Sequence, residues 1–382
     1  MGNPGEASGI KVTILGCGLI GGSIALALRR RRPEWTVVCL DLADRLPAII
    51  EAGVAAETGT LEDIGKHLPE SSIVLLAMPV QAMLETLASS RAFLRPGTVV
   101  SDVASTKKQV MAQARALLPP GIHFIGGHPM AGSERSGVEA ADPLLFSDRV
   151  YVLCPYPDTP PDALLLMMDL VESLPARPIT MDPEEHDRIM AMISHLPQLI
   201  AVALMHAALA ADATHSMLDT LAGRGFLDMT RLAASDFGVW RGILETNQEA
   251  IRESHVRFAA SLAELCAAMG SGDAAPAWEQ AAGRRRKMGA DSRARMQKLD
   301  FRTLIDGYDQ RILAVIAQRM QVAARIGKLK KRQEAPVFDA ERERRMMLKR
   351  REWGDSLDLP ADLIDELFAV ILKHSSRLQA GT

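Results

Sequence analysis

A short apolar run, Ile10–Leu15 (IKVTIL), leads into Gly16-Cys17-Gly18-Leu19-Ile20-Gly21 and then into a stretch with helical spacing, Ser23–Arg32, which Pro33 stops. A strand that turns through G-x-G-x-x-G into a helix constrains the fold more than any other feature of this chain. The glycines let backbone approach a pyrophosphate at the helix N-terminus, where free N–H groups and the helix dipole favour anions. Asp41 lies 20 residues beyond Gly21, at the end of the next apolar run, Thr36–Leu40. A carboxylate there accepts hydrogen bonds from a ribose 2′-hydroxyl and repels a 2′-phosphate, so the pattern predicts NAD; the nearby Arg45 keeps NADP open. The candidate cofactor-binding residues are Gly16, Gly18, Leu19, Ile20, Gly21 and Asp41.

Apolar runs at Ser72–Met78, Thr98–Val103, His123–Ile125 and Tyr151–Cys154 alternate with helical spacing. Near-continuous apolar strands separated by helices predict a parallel sheet covered on both faces, a Rossmann-type α/β domain over residues 1–181. From Asp182 the strand signals stop, and Ala, Leu and Met at helical spacing predict an all-α domain over 182–290. Gly270–Ala275 reads as a break, and the basic run Gly283–Lys287 (GRRRK) as a surface hinge. A third module, 291–382, reads as a long helix over about 292–332, a turn at Pro336, a second helix over Asp339–Glu352 and a third after Pro360. The fold class is thus α/β followed by all-α.

Charge separates the two ends. Residues 283–382 carry 23 Lys+Arg against 14 Asp+Glu, whereas residues 1–282 carry 21 against 33. With 48% hydrophobic and 24% charged residues, the chain is neither disordered nor fibrous. Its four cysteines show no C-x-x-C spacing, which predicts reduced thiols in the cytoplasm and no structural metal. The N-terminus has no basic-plus-apolar leader, and the apolar run Leu199–Ala211 is too short to cross a bilayer, so no membrane association is expected.

Three polar stretches stand out against apolar surroundings: Asp102–Lys107 (DVASTK), Gly126–Glu134 (GGHPMAGSE), and Asp228–Arg231 (DMTR) with Ser235, Asp236 and Trp240 downstream. Together with the GCGLIGGS loop, over about residues 10–285, they resemble the prephenate/arogenate dehydrogenase family. The resemblance implies oxidative decarboxylation of a cyclohexadienol, with a nicotinamide taking hydride. That chemistry needs a group for the 4-hydroxyl proton and a cation for a carboxylate. His128 suits the first role, since imidazole titrates near neutral pH, and Ser105 is placed to hold the hydroxyl or orient His128. Arg231 offers a planar fork for a carboxylate. Glu134 and Asp228 are candidates for holding Arg231. In Ser194-His195-Leu196-Pro197-Gln198, His195 is as readily a packing residue as a ligand. Gln198, neutral where a carboxylate would suit the ammonium of arogenate, argues for prephenate.

In the basic C-terminal module, Arg319 and Lys330 share a helix face, as do Asp339, Arg342 and Glu343, and Ser375 and Gln379. Arg302 stands 17 residues from Arg319, roughly 25 Å along one helix, too far for a single small ligand to bridge within one chain. These residues resemble the all-helical chorismate mutase family. The resemblance implies an intertwined homodimer in which Arg302 reaches the partner's site. It also implies that Arg302 and Arg319 clamp carboxylates and that Lys330 and Gln379 donate to the breaking ether oxygen. Asp339 and Glu343 would hold the ring hydroxyl or the cations, with Arg342 and Ser375 completing the site. The expectation is a bifunctional enzyme of tyrosine biosynthesis, making prephenate in one module and oxidising it in the other. Two alternatives are an arogenate-preferring dehydrogenase, and a dehydrogenase whose basic module only dimerises or binds nucleic acid. The acids Asp339 and Glu343 and the scarcity of aromatics disfavour nucleic acid.

Overall fold

The computed structural model describes residues 9–132, 135–211, 216–271, 273–332, 340–355 and 359–381. Glu134 and Asp339 lie outside the described residues, as do the side chains of Arg302 and Arg342. The chain divides into two compact units, Met1–Asp300 and Phe301–Thr382.

The first unit opens with β1 (Lys11–Leu15), α1 (Leu19–Arg31), β2 (Thr36–Asp41), α2 (Leu46–Ala52), β3 (Glu57–Thr60), α3 (Ile64–His67) and β4 (Ile73–Leu76). It continues with α4 (Val80–Ser90), β5 (Val99–Asp102), α5 (Lys108–Leu117), β6 (His123–Pro129), β7 (Val150–Cys154), α6 (Pro161–Ser173) and β8 (Arg177–Thr180). These strands form one sheet in the order β3-β2-β1-β4-β5-β6-β7-β8. Strands β1 to β6 pair in parallel, β7 pairs antiparallel to β6, and β8 parallel to β7. The sheet is therefore mixed at one edge, where the sequence predicts a parallel one. Strands β3 (ETGT) and β8 (RPIT) were not expected, because neither carries an apolar run.

Alternate residues of the strands feed two cores. Ile14, Cys39, Leu75 and Ile125 pack with Ile24, Leu28 and Leu170 on one face. Leu15, Leu40, Leu76 and Val100 pack with Met83, Leu87, Val110 and Met111 on the other. Burial on both faces explains why the strands read as continuous apolar runs. It also leaves the carboxyl ends of β1, β4, β5 and β6 as the edge on which polar residues gather.

The remaining helices are α7 (Pro183–Met190), α8 (Leu196–Ala211), α9 (Ser216–Leu221), α10 (Arg224–Thr230), α11 (Phe237–Thr246), α12 (Gln248–Ser271) and α13 (Ala275–Arg332). A π-helical turn, Ala191–His195, joins α7 to α8, so Pro183–Ala211 is one helical stretch of 29 residues. By length and composition alone it is long and apolar enough to cross a membrane, because the helix extends well before the apolar run Leu199–Ala211. Its apolar surface is interrupted by buried His186, Asp187, His195 and Gln198. The break expected at 270–275 is present, whereas the GRRRK run lies inside α13 and makes no hinge. The second unit completes α13 and adds α14 (Ala340–Asp355) and α15 (Ala361–Gly381).

Candidate active site

Asp102 ends β5 and is fully buried with Lys107. Its Oδ1 accepts from the Gly127 N–H at 3.0 Å, and its Oδ2 accepts from the Ala104 N–H at 3.0 Å and from Lys107 Nζ. Lys107 Nζ also donates to the Gly127 carbonyl at 2.7 Å. A Cβ on Gly127 would come within 2.3 Å of the Asp102 carbonyl oxygen, so this approach of β5 to β6 requires glycine. The buried pair thereby fixes the backbone immediately before His128.

His128, near the end of β6, is 9% exposed. Its Nδ1 lies 2.9 Å from His186 Nε2, and His186 Nδ1 lies 2.8 Å from Asp187 Oδ1. Asp187 also accepts from the backbone N–H groups of Lys107 (2.7 Å) and Lys108 (2.9 Å), which tie α7 to the start of α5. This network assigns the protons. A carboxylate only accepts, so His186 carries its proton on Nδ1 and presents a lone pair at Nε2. His128 then donates from Nδ1, and its own lone pair is left on Nε2. Burial, then the charge of Lys107, then His186 and His195, hold the His128 pKa well below the ordinary 6.5, so the ring is neutral at pH 7.

The network continues into the helical region. Asn247 Nδ2 donates to the Asp187 carbonyl at 2.8 Å and lies 3.2 Å from His195 Nδ1. Since that amide donates, His195 accepts at Nδ1 and carries its proton on Nε2, which is buried with no partner among the described residues. The ring meets Trp240 edge-on at 6.1 Å, and burial lowers its pKa to about 4. One turn along, Gln198 Nε2 donates to the Leu232 carbonyl at 2.8 Å, leaving Gln198 Oε1 buried with no partner among the described residues. Leu232 follows Arg231 in a short 3-10 turn, Arg231–Ala234. The contacts from the His128 imidazole thus reach His195, and Gln198, one turn further along the same helical stretch, touches the turn that carries the guanidinium. Arg231 and Asp228 are both exposed, and Ser105 is half-buried in the β5–α5 turn.

The nucleotide loop fits a dinucleotide. Glycine is required at Gly21, where a Cβ would lie 2.0 Å from the Gly16 carbonyl oxygen, while Gly18 faces open space with nothing within 4 Å. Gly18 caps α1 without a side-chain bond, so the first N–H groups of the helix face outward for an anion. Asp41 is buried against the loop: its Oδ2 accepts from the Cys17 N–H at 2.6 Å and its Oδ1 from the Leu42 N–H at 2.7 Å. Each carboxylate oxygen retains a second lone pair. Arg45 Nη1 stands 3.8 Å from Asp41 Oδ1 and is mostly exposed.

In the second unit, Arg319 Nη1 donates to Ser375 Oγ at 2.5 Å, and Ser375 Oγ donates to the Ile371 carbonyl at 2.8 Å. Glu343, Lys330 and Gln379 are half-buried. Of the residues that form these sites, His186, Asp187 and Asn247 belong to no motif visible in the sequence. Glu185-His186-Asp187-Arg188 looks like an ordinary solvated helix face, and only the fold shows its middle pair turned inward.

Fold and site together define a nicotinamide-dependent dehydrogenase with a helical second module. Residues 24–180 match the prephenate dehydrogenase nucleotide-binding domain, 182–279 the prephenate dehydrogenase dimerization domain, and 301–380 chorismate mutase type II. The chain is 37% identical over 251 residues to the prephenate dehydrogenase of Bacillus subtilis, an alignment spanning 63% of this chain and 66% of that protein. It is 31% identical over 265 residues to the cyclohexadienyl dehydrogenase of Zymomonas mobilis, spanning 69% of this chain and 89% of that one. The solved prephenate dehydrogenase of Aquifex aeolicus, in complex with hydroxyphenyl propionate and NAD+, superposes with a TM-score of 0.69 at 27% identity, covering 74% of this chain and all of that one. The chain belongs to the prephenate dehydrogenase family and carries a chorismate mutase domain at its C-terminal end.

Proposed function

We propose that the second unit rearranges chorismate to prephenate and that the first oxidises prephenate to 4-hydroxyphenylpyruvate, CO2 and NADH. The observation that carries the dehydrogenase is the Asp187–His186–His128 chain, which leaves a neutral imidazole with its lone pair on Nε2. That nitrogen takes the proton of the substrate's 4-hydroxyl as C4 becomes a carbonyl-like centre and the ring carboxylate leaves as CO2. Asp187 and His186 stabilise the imidazolium that forms, and Ser105 orients the hydroxyl. Arg231 holds a substrate carboxylate, with Asp228, three residues before it, and Glu134 of the GGHPMAGSE motif as its supports. A bound nicotinamide supplies the hydride acceptor. The Gly16–Gly21 loop, through the backbone of Gly18, Leu19 and Ile20, would hold its pyrophosphate, and Asp41 its ribose. The spare lone pairs on Asp41 favour NAD over NADP.

In the second unit Arg319 clamps a carboxylate of the compact reactive conformer, with Ser375 orienting its guanidinium. Lys330 and Gln379 stabilise charge on the ether oxygen as that bond breaks. Glu343 and Asp339 hold the ring hydroxyl, and Arg342 a further carboxylate. Arg302 acts in the partner's site, because 17 residues of α13 separate it from Arg319, about 25 Å. The enzyme is therefore a homodimer. Its cysteines Cys17, Cys39, Cys154 and Cys266 are free, which suits a reducing cytoplasm.

A second reading has one observation in its favour. By charge alone, neutral Gln198 is unfavourable to an amino substrate. In the structure its amide nitrogen is spent on Leu232, so an acceptor oxygen remains, and an acceptor suits an ammonium. Turnover of arogenate beside prephenate measures that preference. Both activities are tested with two variants. His128→Asn should abolish prephenate oxidation and leave chorismate loss intact, and Arg319→Ala should do the reverse. A His128→Asn enzyme that still reduces NAD+ with prephenate would refute the assignment.

A further inference from the structure

Among the described residues, two lysine or arginine side chains are buried: Lys107, paired with Asp102, and Arg350 on α14, which is 8% exposed. Arg350 has no carboxylate within ion-pair distance among the described residues. Its Cζ lies 4.5 Å over the Phe368 ring, and its Nη1 lies 3.2 Å from Met347 Sδ, a weak acceptor. Among the described residues this desolvated guanidinium rests on a ring and a thioether, without the directly paired counter-charge that such a group ordinarily needs.

The packing of α14 on α15 shows where this charge stands. Gly354 lies against Ile364, Arg351 is ion-paired with Asp365, and Arg350 lies against Phe368, so the two helices run antiparallel. Seven further residues in each sense bring Glu343 opposite Ser375, the residue that holds Arg319. Phe368 and Ser375, seven apart on α15, share a face. Arg319 and Arg350 thus dock on one face of α15, about two turns or roughly 10 Å apart along it, and the antiparallel register brings Glu343 toward the Arg319 end. Their charges are close enough to act on each other: burial, then Arg319, lower the Arg350 pKa, while Glu343 raises it.

We propose that Arg350 is a positioning residue of the mutase site, a second guanidinium of the same chain that raises the positive potential around Arg319 and helps draw in and hold a small dicarboxylate. The proposal rests on the mutase reading of the second unit. Two guanidiniums on one face, with Glu343 as only a partial counter-charge among the described residues, favour a dianion once it arrives, so Arg350 contributes to ground-state binding more than to the barrier.

The test is chorismate turnover by the full chain as wild type, Arg350→Met and Arg350→Lys, at low and high salt. The expected result for Arg350→Met is a KM raised about tenfold with kcat within about threefold, and a weaker dependence of KM on salt. Arg350→Lys, which keeps charge and stem, should recover most of the KM and the salt dependence. Prephenate oxidation by each variant reports on the first unit and should not change. A KM and salt response unchanged in Arg350→Met would overturn the proposal. So would equal losses of kcat and melting temperature in both variants, which would mark a packing role. If Arg350→Met does not fold, Arg350→Gln takes its place against Arg350→Lys under the same criteria. A wild-type chain that does not consume chorismate would instead overturn the mutase reading itself.

Discussion

Replacing Asp187 with Asn tests the proton assignment at the dehydrogenase site without removing an atom's worth of volume. In the native network Asp187 Oδ1 faces both the Lys107 N–H (2.7 Å) and His186 Nδ1 (2.8 Å), while Oδ2 faces the Lys108 N–H (2.9 Å). An amide cannot satisfy all three. With its oxygen at the Oδ1 position, its NH2 opposes the Lys108 N–H, and no negative charge remains to stabilise imidazolium. With its oxygen at the Oδ2 position, its NH2 opposes the Lys107 N–H and makes His186 Nδ1 an acceptor. His186 then carries its proton on Nε2, His128 accepts at Nδ1, and the proton on His128 moves to Nε2, where the lone pair is needed. The expected loss in kcat for prephenate is about 10²–10⁴-fold, comparable to losing a general base or its tautomer. That corresponds to about 3–5 kcal/mol of barrier at about 1.4 kcal/mol per decade. Losing one charge-assisted hydrogen bond also costs about 1.5–3 kcal/mol of stability, visible as a lower melting temperature. The assay is NADH formation from prephenate, with chorismate loss by the same preparation as the internal control. A folded Asp187→Asn enzyme with kcat within about threefold of wild type would refute the relay, because then neither the charge nor the tautomer matters to His128.

His195 has a folded pKa of about 4 against an ordinary 6.5, so between those values the unfolded chain binds a proton that the folded chain does not. Stability from this group is therefore full above about pH 6.5 and lost as pH falls toward 4, by up to about 3 kcal/mol, which chemical denaturation at stepped pH measures. His195→Leu should flatten that dependence. In the nucleotide loop, Gly21→Ala meets the Gly16 carbonyl and should displace the turn and lower the melting temperature. Gly18→Ala meets nothing in the protein, so it should leave the melting temperature alone and weaken NAD+ binding in a titration. Lys107→Met strands the Asp102 carboxylate in a fully buried position and should cost about 3–5 kcal/mol of unfolding free energy.

The sheet was legible from sequence wherever strands are buried on both faces. Ile10–Leu15, Thr36–Leu40 and the runs before Asp102 and His128 all read as continuous apolar segments because two cores demand it. Strands β3 and β8 were not legible, since edge strands made of ETGT and RPIT take their structure from a neighbour rather than from their own pattern. The reversal at β7 was also hidden, because an apolar run does not encode its direction. At the site, His128 was readable as one member of a long motif. The residues that set its tautomer were not, because His186, Asp187 and Asn247 come from α7 and the residue after α11, and only tertiary packing brings them together. Helix continuity failed in the opposite sense: GRRRK looks like a break, yet α13 runs through it, since arginines are good helix formers and one glycine costs only about 1 kcal/mol.

On the reading proposed here, one chain makes a dienol dianion at one site and oxidises it at another. The most direct measurement supplies chorismate and NAD+ to the full-length protein, with no prephenate added, and follows NADH. The account predicts a lag while prephenate forms, then steady NADH production that stops in either His128→Asn or Arg319→Ala and returns when the two variants are mixed. Chorismate consumption with no NADH formed, by a preparation that also leaves added prephenate untouched, would contradict it.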